Sequence, residues 1–174
     1  MVIWHNLGVT AFQGTVVLVC GLPGSGKTTF AKRLERERNA IRMCPDDWIE
    51  ALLSDFGDEG EKSRLRDAVE NLQWELARGY LVKGFTVILE NGFWSEDERT
   101  QYAMEALELG ARIELWAMDS TDRDELWRRI EARNLTLLTP TWMMRREDHD
   151  HKWVGYQPPT WEEIAFYDDG GILG

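Results

Sequence analysis

A glycine-rich stretch near the start of the chain constrains its fold more than any other feature. It consists of a glycine, four residues and then Gly-Lys-Thr, in the order Gly21-Leu22-Pro23-Gly24-Ser25-Gly26-Lys27-Thr28. Residues 15–20 before it form an apolar run typical of a buried strand, and residues 30–35 after it are typical of a helix. This motif, placed between a strand and a helix, predicts a loop that binds the phosphates of a nucleotide.

Each residue type in this loop suits phosphate binding. Gly21, Gly24 and Gly26 allow positive φ angles, so that consecutive N–H groups can point at phosphate oxygens. We expect Lys27 to reach the β- and γ-phosphates and the hydroxyl of Thr28 to hold Mg²⁺. Besides Arg129 and Arg133 further along the chain, the residues expected to contact the nucleotide are those of the loop: Leu22, Pro23, Gly24, Ser25, Gly26, Lys27, Thr28 and Thr29. The alternative, a glycine turn with a solvated lysine, is disfavoured by the flanking elements.

Further strands are predicted at residues 40–44, 85–90 and 111–118, with helices between them. Strands that alternate with helices predict an α/β fold with a central parallel sheet and helices on both faces. We expect one domain over residues 1–174. Residues 1–14 would be an N-terminal extension, as an extra strand or hairpin, and about 134–151 a lid.

Acidic residues follow two of the predicted strands. Asp46 and Asp47 come after the strand at 40–44, and Glu90 ends the strand at 85–90. Since ligands bind at the carboxyl ends of parallel strands, both places should lie beside the phosphate loop. Asp46 is the candidate general base for an acceptor hydroxyl or a metal ligand, and Glu90 a candidate to orient Mg²⁺. Alternatively, Asp46 or Asp47 is only the N-cap of the helix that follows, and Glu90 is only a structural carboxylate that makes its hydrogen bonds within the protein at the edge of the sheet.

The helix after residue 121 carries several arginines and leads into the predicted lid. Phosphoryl transfer needs cations that close over the migrating group. Arg133, at the junction of helix and lid, is the candidate for this role, and Arg129, one turn earlier, for stacking on the base. Solvated arginines on an amphipathic helix are the alternative.

Three other patterns are weaker. Asp148-His149-Asp150-His151 resembles a metal tract but lacks further ligands, which favours a solvated end of the lid. A long helix should bury Leu65, Val69, Leu72 and Leu76, and end at Gly84. Arg66 on this helix could face the acceptor, but we interpret it as solvated. Near the end of the chain, Pro158-Pro159 could border the adenine site or form a rigid surface turn.

The composition limits the possible partners. The net charge of −11 disfavours tight binding to nucleic acid or anionic lipid. The two cysteines suit buried thiols in a reducing cytosol, and neither a secretory signal nor a transmembrane run is evident. We therefore expect a soluble cytoplasmic protein. The nine tryptophans suggest extra core area or an aromatic cleft.

These motifs together resemble the P-loop kinase group that contains polynucleotide kinase domains, chloramphenicol phosphotransferase and zeta-toxin-like sugar-nucleotide kinases. The resemblance rests on Gly21–Thr29, on Asp46-Asp47-Trp48, on residues 90–94 and on residues 127–134. It implies a three-layer P-loop NTPase fold, the general base at Asp46 and a lid arginine at Arg133. It also implies ATP with Mg²⁺, since no guanine-specific Asn-Lys-x-Asp or Thr-Lys-x-Asp follows.

Two departures disfavour a polynucleotide acceptor. Polynucleotide kinases carry an arginine where Ile49 stands, and Leu137 and Leu138 occupy the place of a second basic lid residue. We therefore expect transfer of the γ-phosphate of ATP to a hydroxyl of a small molecule. Trp48, Phe93 and Trp94 suggest an acceptor with a flat or apolar part, such as an antibiotic or a nucleoside-like metabolite. The alternatives are a polynucleotide 5′-hydroxyl kinase and a non-catalytic ATP-gated module. The oligomeric state is left open.

Overall fold

The computed structural model describes residues 14–53, 59–136 and 143–174. Five strands form one parallel sheet: β1 (Thr15–Cys20), β2 (Ile41–Met43), β3 (Thr86–Gly92), β4 (Arg112–Met118) and β5 (Asp169–Leu173). Their order in space is β2-β3-β1-β4-β5. The predicted α/β fold is confirmed, with β1 at the centre of the sheet. The predicted extension at residues 1–14 lies outside the described residues, apart from Gly14.

Seven helices connect the strands in the described part of the chain. They are α1 (Lys27–Arg38), α2 (Pro45–Leu53), α3 (Glu59–Leu81), α4 (Glu96–Glu108), α5 (Arg123–Asn134), α6 (Arg146–Gly155) and α7 (Trp161–Ile164). Phe30, Ala31 and Leu34 of α1 pack on one face of the sheet. Residues of α3, α4 and α7 cover the other face. The core is therefore split into two layers by the sheet, as the alternation of elements predicts.

Capping explains where several helices begin and end. Ser95 accepts a hydrogen bond from the amide of Glu98 at the start of α4, and Thr160 accepts one from the amide of Glu163 at the start of α7. In both places a glutamate stands three residues after the Ser or Thr, which is the spacing of a capping box. Gly84 has a φ of +87° just after α3, and Gly110 a φ of +72° just after α4. Both glycines end their helices in the left-handed conformation, which confirms the prediction for Gly84.

The predicted buried face of α3 is wrong in part. Leu72 and Leu76 are 53% and 42% exposed, whereas Trp74, Ala77 and Leu81 are buried beside Val69. Trp74 is the larger anchor, because its ring packs on Tyr102 of α4 and its indole N–H donates to Glu105. The helix carries two apolar stripes, and helical spacing alone does not say which of them faces the sheet.

The strand β5 and the helix α6 were not predicted. In β5 two glycines replace the branched residues that indicate strands, and a Cβ at Gly170 would lie 2.2 Å from the carbonyl oxygen of Leu115. The glycine is thus required by close packing against β4. Part of the predicted lid, residues 137–142, lies outside the described residues. No helix among the described residues is long and apolar enough to cross a membrane.

Candidate active site

The loop between β1 and α1 has the backbone that phosphate binding requires. Gly21, Gly24 and Gly26 have φ angles of +143°, +84° and +96°, as predicted. A Cβ at Gly24 would lie 2.6 Å from the carbonyl oxygen of Leu126 on α5. Gly24 therefore meets two demands, the left-handed backbone and the close approach of the helix that leads into the lid.

Lys27 opens α1 and points back across this loop. Its Nζ donates to the carbonyl oxygen of Leu22 at 3.0 Å. Burial lowers the pKa of Lys27, and the charges of Glu90 and Asp46 oppose that shift by raising it. The ammonium group thus lies near both carboxylates that the sequence placed at this rim.

Glu90, at the end of β3, is a buried carboxylate with two partners. Its Oε1 accepts a hydrogen bond from the hydroxyl of Thr28, and its Oε2 lies 2.7 Å from Nη1 of Arg42. The Thr28 hydroxyl and the Glu90 carboxylate are oxygen donors of the kind that Mg²⁺ prefers. No group of three or more His, Cys, Asp or Glu side chains in the described residues could hold a metal ion. Mg²⁺ commonly takes one or two protein ligands and completes its shell with phosphate and water.

Arg42 of β2 is a site residue that the sequence analysis missed. Its guanidinium binds Glu90 and, through Nη2, Asp47 in the first turn of α2. Glu35 of α1 lies 3.5 Å from its Nε. Three elements that border the phosphate loop are therefore joined by one side chain. Residues 40–44 alternate apolar and polar side chains, which places Arg42 on the polar face of the strand but does not indicate its partners.

Asp46 lies in the first turn of α2 and is 68% exposed. Helix α2 begins at Pro45, so Asp46 and Asp47 are inside the helix rather than at its N-cap. Arg66 of α3 binds Oδ1 of Asp46 and Oε1 of Glu70. The prediction that Arg66 is solvated is therefore wrong: α2 packs against α3, and this packing brings the arginine to the candidate base.

The two candidate lid arginines both lie on α5, and both are exposed. Nε of Arg129 binds Glu125 at 2.8 Å, one turn earlier on the helix. Arg133 lies in the last turn, where its side chain pairs with no carboxylate among the described residues. Asn134 follows and binds the backbone of Met144, donating to its carbonyl at 2.9 Å. This hydrogen bond joins the two described ends of the predicted lid, one at Asn134 and the other at Met144.

The interpretation of Asp148–His151 as a solvated tract is wrong for one residue. His149 lies on α6 and is fully buried, with its ring centroid 5.8 Å from that of Trp127 on α5. Asp150 of the same tract forms ion pairs with Arg123 and Arg146. The tract is thus part of the contact between α5 and α6. Its polar composition did not indicate that it forms a helix with a buried face.

The chain after α6 is anchored over the end of β3 by Arg99, which the sequence analysis also missed. Arg99 is 1% exposed, binds both carboxylate oxygens of Glu163, and donates to the carbonyls of Phe93 and Gln157. Phe93 is fully buried, so its proposed place on an acceptor surface is wrong. Trp94 is partly exposed, and the ammonium of Lys152 lies 4.6 Å from its ring.

Both cysteines are free and buried, as predicted. Burial raises the pKa of Cys20, and it raises the pKa of Cys44 to about 11. Both thiols are therefore protonated near neutral pH and unsuited to act as nucleophiles. The Sγ of Cys20 donates to the carbonyl of Phe93 at 3.2 Å, which adds to the packing at the end of β1.

Comparison with known protein families agrees with this geometry. Residues 16–144 match the family model described as an AAA domain, and the match covers more than half of the chain. The chain belongs to the AAA domain family. The matched region includes the phosphate loop, Asp46, Glu90 and Arg133, so all the candidate catalytic residues lie within it.

Relatives and solved structures place this AAA domain protein among the P-loop kinases in fold. The adenylate kinase isoenzyme 6 homolog of Schizosaccharomyces pombe is 28% identical over 123 residues, which are 70% of this chain and 62% of that relative. This chain thus spans less than two thirds of that protein. A protein of Chloroflexus aurantiacus J-10-fl with a provisional kinase name superimposes with a TM-score of 0.76 at 17% identity, over 92% of this chain and 88% of that chain. The structure of Chaetomium thermophilum Kti12 in complex with ADP-AlF3 superimposes with a TM-score of 0.67 at 16% identity. The superposition covers 91% of this chain and 88% of the Kti12 chain.

Proposed function

We propose that this protein is an ATP-dependent phosphotransferase that moves the γ-phosphate to a hydroxyl of a small molecule. One observation carries the proposal: Lys27, the Thr28–Glu90 pair and the exposed carboxylate of Asp46 meet at one rim of the sheet. A phosphate cation, a pair of metal-binding oxygens and a candidate base are the parts that phosphoryl transfer to a hydroxyl requires.

The nucleotide would bind through the loop. The backbone N–H groups of Gly24–Thr29 and the ammonium of Lys27 would hold the phosphates, with the positive end of α1 behind them. Arg129 would stack on the base and Arg133 would approach the transferring group. The solved structure of Kti12 contains ADP-AlF3, and the similarity of the two folds supports nucleotide binding by this chain.

Mg²⁺ would be held by the hydroxyl of Thr28, directly, and by Glu90, directly or through water. When bound, the ion neutralises charge on the β- and γ-phosphates. Arg42 prepares this site, because it occupies Oε2 of Glu90 and leaves Oε1 with Thr28. The carboxylate therefore has a fixed orientation before the metal arrives.

Asp46 would accept the proton of the acceptor hydroxyl. Its position in the first turn of α2 keeps it exposed, while Arg66 binds one of its two oxygens. Oδ2 then remains for the substrate. A pure nucleotide switch needs no base at this place, which favours a transferase over an ATP-gated module. The net charge of −11 favours a small acceptor over a polynucleotide.

The proposal is tested by transfer of ³²P from γ-labelled ATP with Mg²⁺ to a panel of hydroxylated antibiotics, nucleosides, sugars and 5′-hydroxyl oligonucleotides. Label in one small molecule supports the proposal. Label in the oligonucleotide alone would replace it with a polynucleotide kinase. Tight ATP binding without transfer to any acceptor would favour the regulatory module.

A further inference from the structure

Arg66 of α3 joins the candidate base to a second, better shielded carboxylate. Its Nη2 donates a hydrogen bond to Oδ1 of Asp46, and its Nη1 donates one to Oε1 of Glu70 at 3.1 Å. The Asp46 side chain is 68% exposed, whereas that of Glu70 is 17% exposed. One guanidinium therefore bridges an exposed carboxylate on α2 and a largely buried one on α3.

Glu70 sets the position of Arg66. The two residues are four positions apart on α3, so they lie on the same face of the helix. Burial raises the pKa of Glu70, and the charge of Arg66 opposes that shift. The charges of Glu98 and Asp67 raise this pKa further, so Arg66 is the neighbour that favours the ionised form. The guanidinium is thus fixed within α3, and the more exposed Asp46 is the partner that it orients.

The next residue of α2, Asp47, is bound by an arginine on a different element. Nη2 of Arg42, on β2, donates to Oδ2 of Asp47. Consecutive residues of an α-helix point about 100° apart around its axis. The two arginines therefore hold the first turn of α2 in two directions, which restricts its rotation as well as its translation. Because this turn carries Asp46, Arg42 fixes the backbone of the candidate base and Arg66 fixes its carboxylate.

A fixed carboxylate suits the role proposed for Asp46. A general base has to lie within about 2.6–3.2 Å of the hydroxyl oxygen whose proton it takes. A displacement of about 1 Å can lower the rate by about 10²-fold. An exposed aspartate with no partner populates several rotamers, and few of these meet that distance. We propose that Arg66 is a positioning residue for the base and that Glu70 acts through Arg66, an inference that rests on the proposed phosphotransferase activity.

The first test compares two arginines of α3 that have similar surroundings. Arg66 and Arg78 are 40% and 42% exposed, and each pairs with two carboxylates, which for Arg78 are those of Glu75 and Glu105. The kcat for ³²P transfer is measured with the member of the hydroxyl panel that the wild-type protein labels, alongside the Kd for ATP. We expect Arg66→Met to lower kcat by at least about tenfold with the Kd for ATP unchanged. Arg66→Lys, which keeps the positive charge, should retain more activity than Arg66→Met, and Arg78→Met should keep the wild-type kcat.

A double-mutant cycle separates positioning of the base from a general structural role. If Arg66 acts through the base, Arg66→Met should have no further effect in a protein that already carries Asp46→Asn. Glu70→Gln, which leaves Asp46 itself unchanged, should lower kcat when Arg66 is present and should not lower it in Arg66→Met. Glu70→Gln also decides the question if circular dichroism shows that Arg66→Met does not fold.

The possible results distinguish this inference from the proposed function. Equal kcat values in Arg66→Met and Arg78→Met, or a wild-type kcat in Glu70→Gln, would overturn the inference and leave the proposed function standing. An additional loss of kcat when Arg66→Met is combined with Asp46→Asn would do the same, because Arg66 would then act independently of the base. Wild-type protein that binds ATP but labels no member of the panel would overturn the proposed function instead.

Discussion

The guanidinium of Arg42 holds the carboxylate of Glu90, with Nη1 2.7 Å from Oε2. The two side chains are 11% and 3% exposed, so this ion pair is shielded from water. The same guanidinium binds Asp47, whose neighbour Asp46 is the candidate base. Arg42 therefore fixes the position of the α2 helix relative to the proposed metal site.

Removing Arg42 should destabilise the fold strongly. In Arg42→Met the buried carboxylate of Glu90 loses its cation, and breaking a buried pair in this way typically costs about 3–5 kcal/mol. The free energy of unfolding, measured by urea denaturation, should fall by about that amount. The double variant Arg42→Met/Glu90→Met should recover part of the loss, since no unpaired buried charge remains.

An exposed ion pair provides the matched control for this prediction. Arg33 and Glu37 on α1 are both 59% exposed and lie 3.8 Å apart. Arg33→Met should change the free energy of unfolding by less than about 1 kcal/mol. If Arg42→Met were no more destabilising than Arg33→Met, the structural role assigned to Arg42 would be wrong.

Arg133 should act in the transfer step rather than in nucleotide binding. A lid arginine stabilises charge that develops in the transition state, so Arg133→Ala should lower kcat by at least about 10²-fold. The Kd for ATP should change by much less. Arg128→Ala is the control on the same helix, because Arg128 pairs with Glu125 on the exposed surface. If Arg133→Ala and Arg128→Ala lowered kcat equally, the assignment of Arg133 as the arginine that stabilises the transition state would be wrong.

The buried His149 should make stability depend on pH. Burial lowers the pKa of His149, Asp150 opposes this shift, and Arg146 and Arg123 add to it. Between its lowered pKa and the unfolded value of about 6.5, the unfolded chain binds more protons than the folded one. The free energy of unfolding should therefore fall as the pH drops below 6.5, by at most about 1.4 kcal/mol per pH unit from this group.

Substitution of His149 tests the origin of that pH dependence. His149→Phe keeps an aromatic ring beside Trp127 and should flatten the stability profile below about pH 6.5. His151→Phe removes the exposed histidine of the same helix and should leave the profile unchanged. An unaltered slope in His149→Phe would show that other groups cause the pH dependence.

Local patterns were enough to predict the phosphate loop and the strands around it. The loop needs glycines at fixed places, β1 and β3 are continuous apolar runs, and Asp46 and Glu90 follow strands whose ends meet at one rim. These features are encoded within a few consecutive residues. The geometry that joins Thr28 to Glu90 then follows from the parallel order of β1 and β3.

Contacts between distant residues could not be predicted in the same way. Arg42, Arg66 and Arg99 look like ordinary surface arginines in the sequence, yet each binds carboxylates from other elements. His149 lies in a polar tract but is buried by the packing of α6 on α5. In each case tertiary packing, which no local pattern records, decides the environment of the side chain.

The most direct measurement is ³²P transfer from γ-labelled ATP to the hydroxyl panel by Asp46→Asn, with the Kd for ATP measured on the same protein. Glu50→Gln, the same loss of charge at another exposed position of α2, serves as the control. We expect Asp46→Asn to lose transfer by at least about 10²-fold while it binds ATP normally, and Glu50→Gln to keep both. Transfer by Asp46→Asn at the wild-type rate would contradict the assignment of Asp46 as the base.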